Sequence, residues 1–473
     1  MAKTFFFYDL ETSGLDARRD RIMQFAGIRT DEKFNQIGEP VNLLVKITDD
    51  ILPSPGALLV TGITPQQTLA DGYSEAELCR TISEEVFTPD TTVVGFNSIR
   101  FDDEFIRHLF WRNFYDPYEW AYKDGRSRWD ILDVARMTRA LRPEGIEWPV
   151  DKDGKSTNKL TALSAANGLD HHKAHDALSD VEALLGVTRL ISEKQPQLFN
   201  YLLKMRDKNE VKKLINLDVK QPFVYVSGRY DGTYNKATVA FPLTAGRNGN
   251  VIVYDLRHDP SSIIDMDKAA IAENIYASWE TRRADDFVSL PVKELQYNRA
   301  PAVAPLGVLE SENGWDKIAI TKETVEKHKK ILLSVPSFAE NVRSVFEERP
   351  ERKQPSDPEL ELYEGFLDDK DRLRAETVRN ASEQDLADLY PDFTDSRLDT
   401  LLLRYKARNF PNSLSESETV AWEEWRSSKL MAELPTYVES LAALAANESD
   451  ENKLFILQEL QLWAESVVPV DLQ

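Results

Sequence analysis

The chain of 473 residues contains one cysteine, Cys79. That excludes an internal disulfide and any zinc site built on cysteine. Long hydrophobic runs are missing as well: no stretch approaches the ~20 apolar residues of a membrane helix. Basic residues are the scarcer charge, 58 Lys+Arg against 80 Asp+Glu, for a formal net of −22. Such a deficit argues against nucleic acid, because phosphate affinity comes mainly from Lys and Arg. The distribution weakens the objection. Residues 350–473 hold 13 basic and 27 acidic groups, a net of −14, so the first 349 carry only −8. Lys204 to Lys220 has six basic and three acidic residues. Local potential decides binding, so a basic groove can coexist with an acidic surface elsewhere.

Apolar residues are plentiful enough for real cores, at 42% hydrophobic and 10% aromatic, which rules out a wholly disordered chain. The length suits two to four domains. Met1 to Gly14 carries one Lys and an aromatic run, Phe5 to Tyr8, and then meets Asp9 and Glu11. It does not read as a signal peptide. The expected compartment is the cytoplasm, with no membrane association.

Three regions are expected. Residues 1–194 mix strands and helices. Lys3 to Leu10 reads as a buried strand, with Arg21 to Thr30 and Val41 to Lys46 as partners. Ser74 to Val86 has helical spacing, and Thr91 to Asn97 reads as a strand. Phe101 to Trp111, Leu132 to Leu141, Asn158 to Ala166 and Ala177 to Ile191 follow as helices. Strands first and helices after suggest a mixed sheet flanked by helices. Residues 195–349 are strand-rich, with runs at Phe223 to Val226, Ala237 to Phe241, Val251 to Leu256 and Phe287 to Val292. A small barrel or sandwich with a helical insertion at Asp267 to Ala284 fits that pattern. Pro350, Pro355 and Pro358 sit among charges in a linker-like stretch, and residues 350–473 read as helices throughout.

The chemical signal begins at Asp9-Leu10-Glu11. On a strand, residues i and i+2 share a face, so both carboxylates converge. Two carboxylates forced together repel unless a cation neutralises them, and oxygen ligands favour Mg²⁺ or Mn²⁺. Alone, such a pair is more often merely a solvated acidic patch. Asn97-Ser98-Ile99-Arg100-Phe101-Asp102 follows a strand, with Asp102 at a helix start, where a cap is the bland reading. In Ala174-His175-Asp176-Ala177-Leu178-Ser179-Asp180, His175 precedes a helix and Asp180 lies one turn inside it. A histidine suits general-base work near neutral pH, or serves as a surface cap. His171, His172 and His175 also permit a metal cluster, although no H-E-x-x-H pattern exists.

Taken together, D-x-E, N-x-x-x-F-D and H-x-x-x-x-D in this order resemble the DEDD superfamily of 3′→5′ exonucleases, His subtype. A wider match resembles the bacterial exonuclease I family. It runs through Phe7 to Thr12, Arg100 to Glu104, Arg112 to Tyr118, Arg142 to Ile146 and Ala407 to Pro411. The resemblance covers essentially the whole chain. It implies an α/β fold: an RNase H-like exonuclease domain, then an SH3-like β-barrel domain and an all-helical C-terminal domain, enclosing a groove for one DNA strand.

The same resemblance implies processive hydrolysis of single-stranded DNA to 5′-mononucleotides with two Mg²⁺ ions (Mn²⁺ possible), in DNA repair and recombination. Asp9, Glu11, Asp102 and Asp180 become the metal carboxylates and His175 the general base. Asp9, Glu11 and Asp180 would hold one ion, while Asp9 would bridge to a second that Asp102 helps through water. Glu11 and Lys159 would meet the terminal nucleotide, Lys159 standing where a member of the family has Arg. Arg107, Tyr118, Tyr122, Arg128, Arg136 and Lys208 would line the DNA path. Lys159 also reads as a solvated helix charge, and Trp111, Phe114 and Trp120 as core. The implied partner is the C-terminal tail of the single-strand-DNA-binding protein, received by Arg142 and Tyr201. Arg142 fits a helix C-terminal charge equally well. A monomer is expected. The catalytic acids do not separate DNA from RNA, so an exoribonuclease of the RNase T or oligoribonuclease type is the rival.

Overall fold

The computed structural model describes residues 3–169, 176–349 and 356–469. Its first sheet has five strands: β1 (Thr4–Thr12), β2 (Ile22–Thr30), β3 (Val41–Leu44), β4 (Thr91–Gly95) and β5 (Ser127–Asp130). Their order is β3-β2-β1-β4-β5. β1 runs antiparallel to β2 and parallel to β4. Phe6 and Tyr8 point to one face of β1 and pack with Phe25, Phe87, Phe105 and Leu109. That side is closed by helices, including Asp102–Arg112. Period-two alternation thus places Phe5, Phe7, Asp9 and Glu11 on the other face.

The second sheet is antiparallel throughout. It holds β6 (Phe223–Val226), β7 (Ala237–Ala245), β8 (Val251–Asp255), β9 (Val292–Leu295) and β10 (Ala302–Pro305), in the order β10-β6-β7-β8-β9. Three expected strands are present. The fourth, expected at Phe287 to Val292, is displaced to Val292–Leu295. Pro291 has no N–H to give a ladder, so the strand starts after it, while the Pro291 carbonyl accepts the Asp255 N–H at 2.8 Å. The expected insertion appears as two helices, Lys268–Ile275 and Trp279–Arg282. β5 and β10 were not expected from their sequences.

Contacts group the chain into two compact units. One draws on Met1–Arg128, His171–Leu185 and Lys353–Gln473, the other on Trp129–Asp170 and Gly186–Arg352. Within the first, the C-terminal helices share cores with the leading region. Trp111 and Phe114 pack with Leu398, Leu401 and Tyr405. Leu58 and Ile63 pack with Ile456, Leu457 and Leu460. Trp463 Nε1 donates to the Ile51 carbonyl at 2.9 Å. Among the described residues, no helix is long and apolar enough to cross a membrane.

A buried ionic lattice lies in this first unit. Arg408 reaches Asp50 at 2.9 Å and Glu359 at 2.7 Å. Arg21 reaches Glu359 at 2.9 Å, Arg404 reaches Glu359 at 3.0 Å, and Arg112 reaches Glu75 at 2.7 Å. Burial alone would push the carboxyl pKa values of Asp50 and Glu359 up. The surrounding cations, Arg408 first, reverse this and hold both below their ordinary 3.8 and 4.5. Removing one partner from such a lattice leaves an uncompensated charge in a dry site. Arg408→Ala should therefore cost about 3–5 kcal/mol, read from the urea midpoint.

Acid should weaken the same region. Depressed carboxylates stabilise the fold fully above their unfolded values and lose that contribution as pH falls through the folded ones. His108 adds to this, pushed down to about 3 from 6.5 by burial and by Arg112. Its neutral form is needed in the fold, so its contribution also fades as pH falls, from about 6.5 toward 3. The stability lost on Arg408→Ala should therefore shrink as pH falls from about 7 toward 3, because the carboxyls it serves take up protons earlier in the variant than in the wild type. A loss that stays constant over that range would contradict this assignment.

Candidate active site

Asp9 and Glu11 arrive at the site from one strand. The register of β1 on β2 sets Asp9 opposite Ala26 and Glu11 opposite Gln24, and a shift follows between Glu11 and Thr12. Asp180 comes from the first turn of the Ala177–Lys194 helix. Ligand atoms of Asp9, Glu11 and Asp180 all lie within 4.8 Å of one another. Asp102 opens the Asp102–Arg112 helix and is buried. The chain enters that helix through a tight turn after β4. Asn97 adopts the left-handed region at φ 67°, which asparagine tolerates. A Cβ on Gly95 would stand 2.4 Å from Ser98 Cβ, so the turn closes only on glycine.

Asp103, the next residue, anchors this corner. It accepts from Tyr8 Oη at 2.7 Å and from Arg128 Nη1. The neighbouring Asp102 is therefore set by a buried Tyr–Asp–Arg contact behind it. His175 lies outside the described residues.

Electrostatics match the crowding. Burial first, then Asp102, Asp180 and Glu11, hold the Asp9 carboxyl well above its ordinary range. Burial, then Asp180, Asp102 and Asp176, push Glu11 up to about 8. These are the signs of carboxylates that repel one another in a poorly hydrated place. Hard divalent cations bind through carboxylate oxygens, so the donor set fits Mg²⁺ or Mn²⁺.

The expected DNA-path residues fall in different surroundings. Arg107 is nearly buried: its Nη1 donates to Glu104 at 2.7 Å and to Tyr363 Oη at 3.3 Å, and its guanidinium lies 5.8 Å from the Tyr118 ring centre. Tyr118 also meets the Phe366 ring edge-on at 5.6 Å. Tyr122 is 65% exposed, free to offer a stacking face. Arg128 is engaged by Asp103, and Arg136 donates to Asp133 at 2.7 Å. Lys159 and Lys208 are exposed at helix starts. Arg142 donates to the Val308 carbonyl at 3.1 Å and Ser311 Oγ at 2.9 Å, and pairs with Glu312 at 3.2 Å. Tyr201 packs on the core beneath the second sheet. Trp111, Phe114 and Trp120 are core. Sequence reasoning missed Gln24, Asp103 and Asp176 around the acids. Only the register opposite Glu11 marks Gln24, and no local pattern announces a register.

Residues 6–188 match the model of an exonuclease family, residues 206–348 the exonuclease I SH3-like domain, and residues 356–467 the exonuclease I C-terminal domain. Exodeoxyribonuclease I of Escherichia coli K12 is 38% identical over 472 residues, 98% of each chain. The chain belongs to the exonuclease I family. Its fold is that of the family, with the exonuclease, SH3-like and helical C-terminal parts in that order. The crystal structure of E. coli exonuclease I with a dA16 oligonucleotide superposes at TM-score 0.95 and 37% identity, covering 98% of this chain and all of that one. A structure of SSB/exonuclease I with an inhibitor superposes at TM-score 0.91 and 36% identity, covering 99% of this chain and all of the other. An oligoribonuclease of Marinobacter nauticus is 26% identical over 175 residues, 35% of this exonuclease I-family chain and 92% of its own.

Repulsion among the acids yields a test. Asp180→Asn should raise the metal-free melting midpoint by roughly 1–2 °C, the shift expected of about 1 kcal/mol in a chain of this size. The same variant should lose most of the stabilisation that Mn²⁺ gives the wild type, about 2.7 kcal/mol at a hundredfold excess over Kd. Differential scanning calorimetry with and without Mn²⁺ reads both.

Proposed function

We propose that this protein degrades single-stranded DNA processively from its 3′ end, releasing 5′-mononucleotides. It is a 3′→5′ exodeoxyribonuclease of the exonuclease I family. The observation that carries the fuller reading is the convergence of Asp9, Glu11 and Asp180 in a chain similar to exonuclease I along its whole length. The E. coli relative's complex with an oligonucleotide supports single-stranded DNA as substrate.

In this reading Asp9, Glu11, Asp102 and Asp180 hold two Mg²⁺ ions, or Mn²⁺ in their place. Divalent cations bound there supply a Lewis-acidic field that lowers the pKa of the attacking water and offsets charge on the leaving 3′ oxygen. His175 accepts the proton of that water. The water oxygen attacks phosphorus and the bond to the 3′ oxygen breaks; that oxygen takes a proton from solvent to become the 3′ hydroxyl of the shortened strand, which stays bound while the 5′-mononucleotide departs. Lys159 steadies the terminal phosphate as a point charge. Arg107, Arg128, Arg136 and Lys208 line the strand with positive charge, and Tyr118 and Tyr122 offer stacking faces.

The SSB/exonuclease I structure supports the single-strand-DNA-binding protein as partner. In this reading the C-terminal tail of that protein is received at Arg142 and Tyr201. An acidic tail would compete with Glu312 for Arg142. The enzyme is read as a cytoplasmic monomer serving DNA repair and recombination, with domains at 1–194, 195–349 and 350–473.

Oligonucleotides labelled at either end test the proposal. The panel is single-stranded DNA, blunt duplex DNA and single-stranded RNA, with Mg²⁺ or EDTA. Mononucleotides should leave the 3′ end of single-stranded DNA only, and EDTA should stop them. Asp180→Ala should lose more than the 10- to 100-fold typical of partners that merely support a ligand. Equal or faster cutting of RNA would move the assignment to the oligoribonuclease side.

A further inference from the structure

We infer that Gln24 is a positioning residue of the reaction: it sets the Asp180 helix against the β1 carboxylates. The inference rests on reading Asp9, Glu11 and Asp180 as the metal site. Gln24 stands opposite Glu11 in the β1–β2 ladder, and its side chain is 6% exposed. Cross-strand partners share a face, so its amide is directed to the side on which the acids gather.

Three hydrogen bonds occupy that amide. Nε2 donates to Asn42 Oδ1 at 2.9 Å and to Asp176 Oδ1 at 3.0 Å. Oε1 accepts the backbone N–H of Ala177 at 3.3 Å. Asn42 belongs to β3, opposite Ala26 in the next ladder. Asp176 and Ala177 are the entry to the helix that carries Asp180 three residues later. Gln24 thus ties strand β3, strand β2 and the helix start into one connected set. The Ala177 N–H is among the donors that a helix start leaves without an intrahelical partner, and Gln24 supplies its acceptor from a strand.

Only an amide can do this. It offers two N–H donors and one carbonyl oxygen on the same plane. A carboxylate at position 24 would still accept from Ala177, but it would face the Asp176 carboxylate with no proton to give. An apolar side chain of the same size would meet neither. The orientation of the amide is fixed by its neighbours, since Asp176 needs a donor and Ala177 an acceptor.

Asp180 enters the cluster from a helix, whereas Asp9 and Glu11 are set by the sheet. Any freedom in the helix entry therefore becomes spread in the carboxylate separations. Partners that orient ligands from behind typically matter 10- to 100-fold to metal affinity or activity.

The test uses the full-length enzyme, free Mn²⁺ followed by electron paramagnetic resonance, and kcat and KM on a single-stranded oligonucleotide. Gln24→Glu should weaken Mn²⁺ binding and lower kcat, each by about 10- to 100-fold, with KM for the oligonucleotide within about twofold. Asp176→Asn alone should change either by less than about threefold, since an Asn carbonyl still accepts from Gln24. The double variant Gln24→Glu/Asp176→Asn restores a donor facing an acceptor and should recover most of the lost Mn²⁺ affinity. A general loss of packing would not be rescued by that exchange. Should Gln24→Glu fail to fold, Gln24→Leu must show the same loss of Mn²⁺ affinity.

Wild-type Mn²⁺ affinity in either folded variant, or no recovery in the double variant, overturns the role of Gln24. Absence of Mn²⁺ binding by the wild type would instead overturn the metal-site reading beneath it.

Discussion

Four carboxylates in a poorly hydrated corner cannot all stay ionised unless protons or cations balance them. Asp9, Glu11, Asp102 and Asp180 live under that constraint. The protein does not relieve it by spacing the acids out. Successive same-face positions of β1 fix two of them, a helix start fixes the third and a helix first turn the fourth. Rigid elements thus keep a repulsive arrangement in place, and the repulsion is stored for a ligand of opposite charge. The Tyr8–Asp103–Arg128 contact and the Gln24 amide lie behind this corner and resist its spreading apart.

The opposite solution operates elsewhere in the same unit. Asp50, Glu75 and Glu359 are as buried as any acid of the site, yet each is met by guanidinium groups. Their charge is balanced inside the protein and nothing is left for a ligand. One molecule therefore holds two acidic clusters whose carboxyl pKa values move in opposite directions. The difference is whether arginine lies within reach.

Much of this was legible in residues. Alternation and aromatic content marked β1, β2 and β4, and spacing marked the helices at 102–112, 131–141 and 177–194. The convergence of Asp9 with Glu11 follows from period two alone. Their meeting with Asp180 needed the family resemblance, because separation along the chain says nothing of proximity. β5 was not legible, since Ser127-Arg128-Trp129-Asp130 is four residues with two charges. β9 was misplaced because Phe287 and Val288 look like strand, while Pro291 resets where the ladder can begin. Gln24 was invisible because its role depends on a register and on an element 152 residues away. The sharing of cores between the leading region and the C-terminal helices was also hidden. A proline-rich boundary reads as a separation, whereas Trp111, Phe114, Leu58 and Ile63 complete their burial on residues beyond it.

That sharing bears on modularity. Glu359 neutralises Arg21, and Asp50 depends on Arg408 and Lys429. A chain ending near residue 349 would strand Arg21 with fewer counter-charges and uncover apolar side chains on two faces. The catalytic fold here is not a cassette that recombination could cut out and reuse. A smaller nuclease descended from such a chain would first have to exchange those uncovered apolar side chains for polar ones. The helical C-terminal part thus completes the burial and the charge balance of the leading region, whatever it also contributes to the handling of DNA.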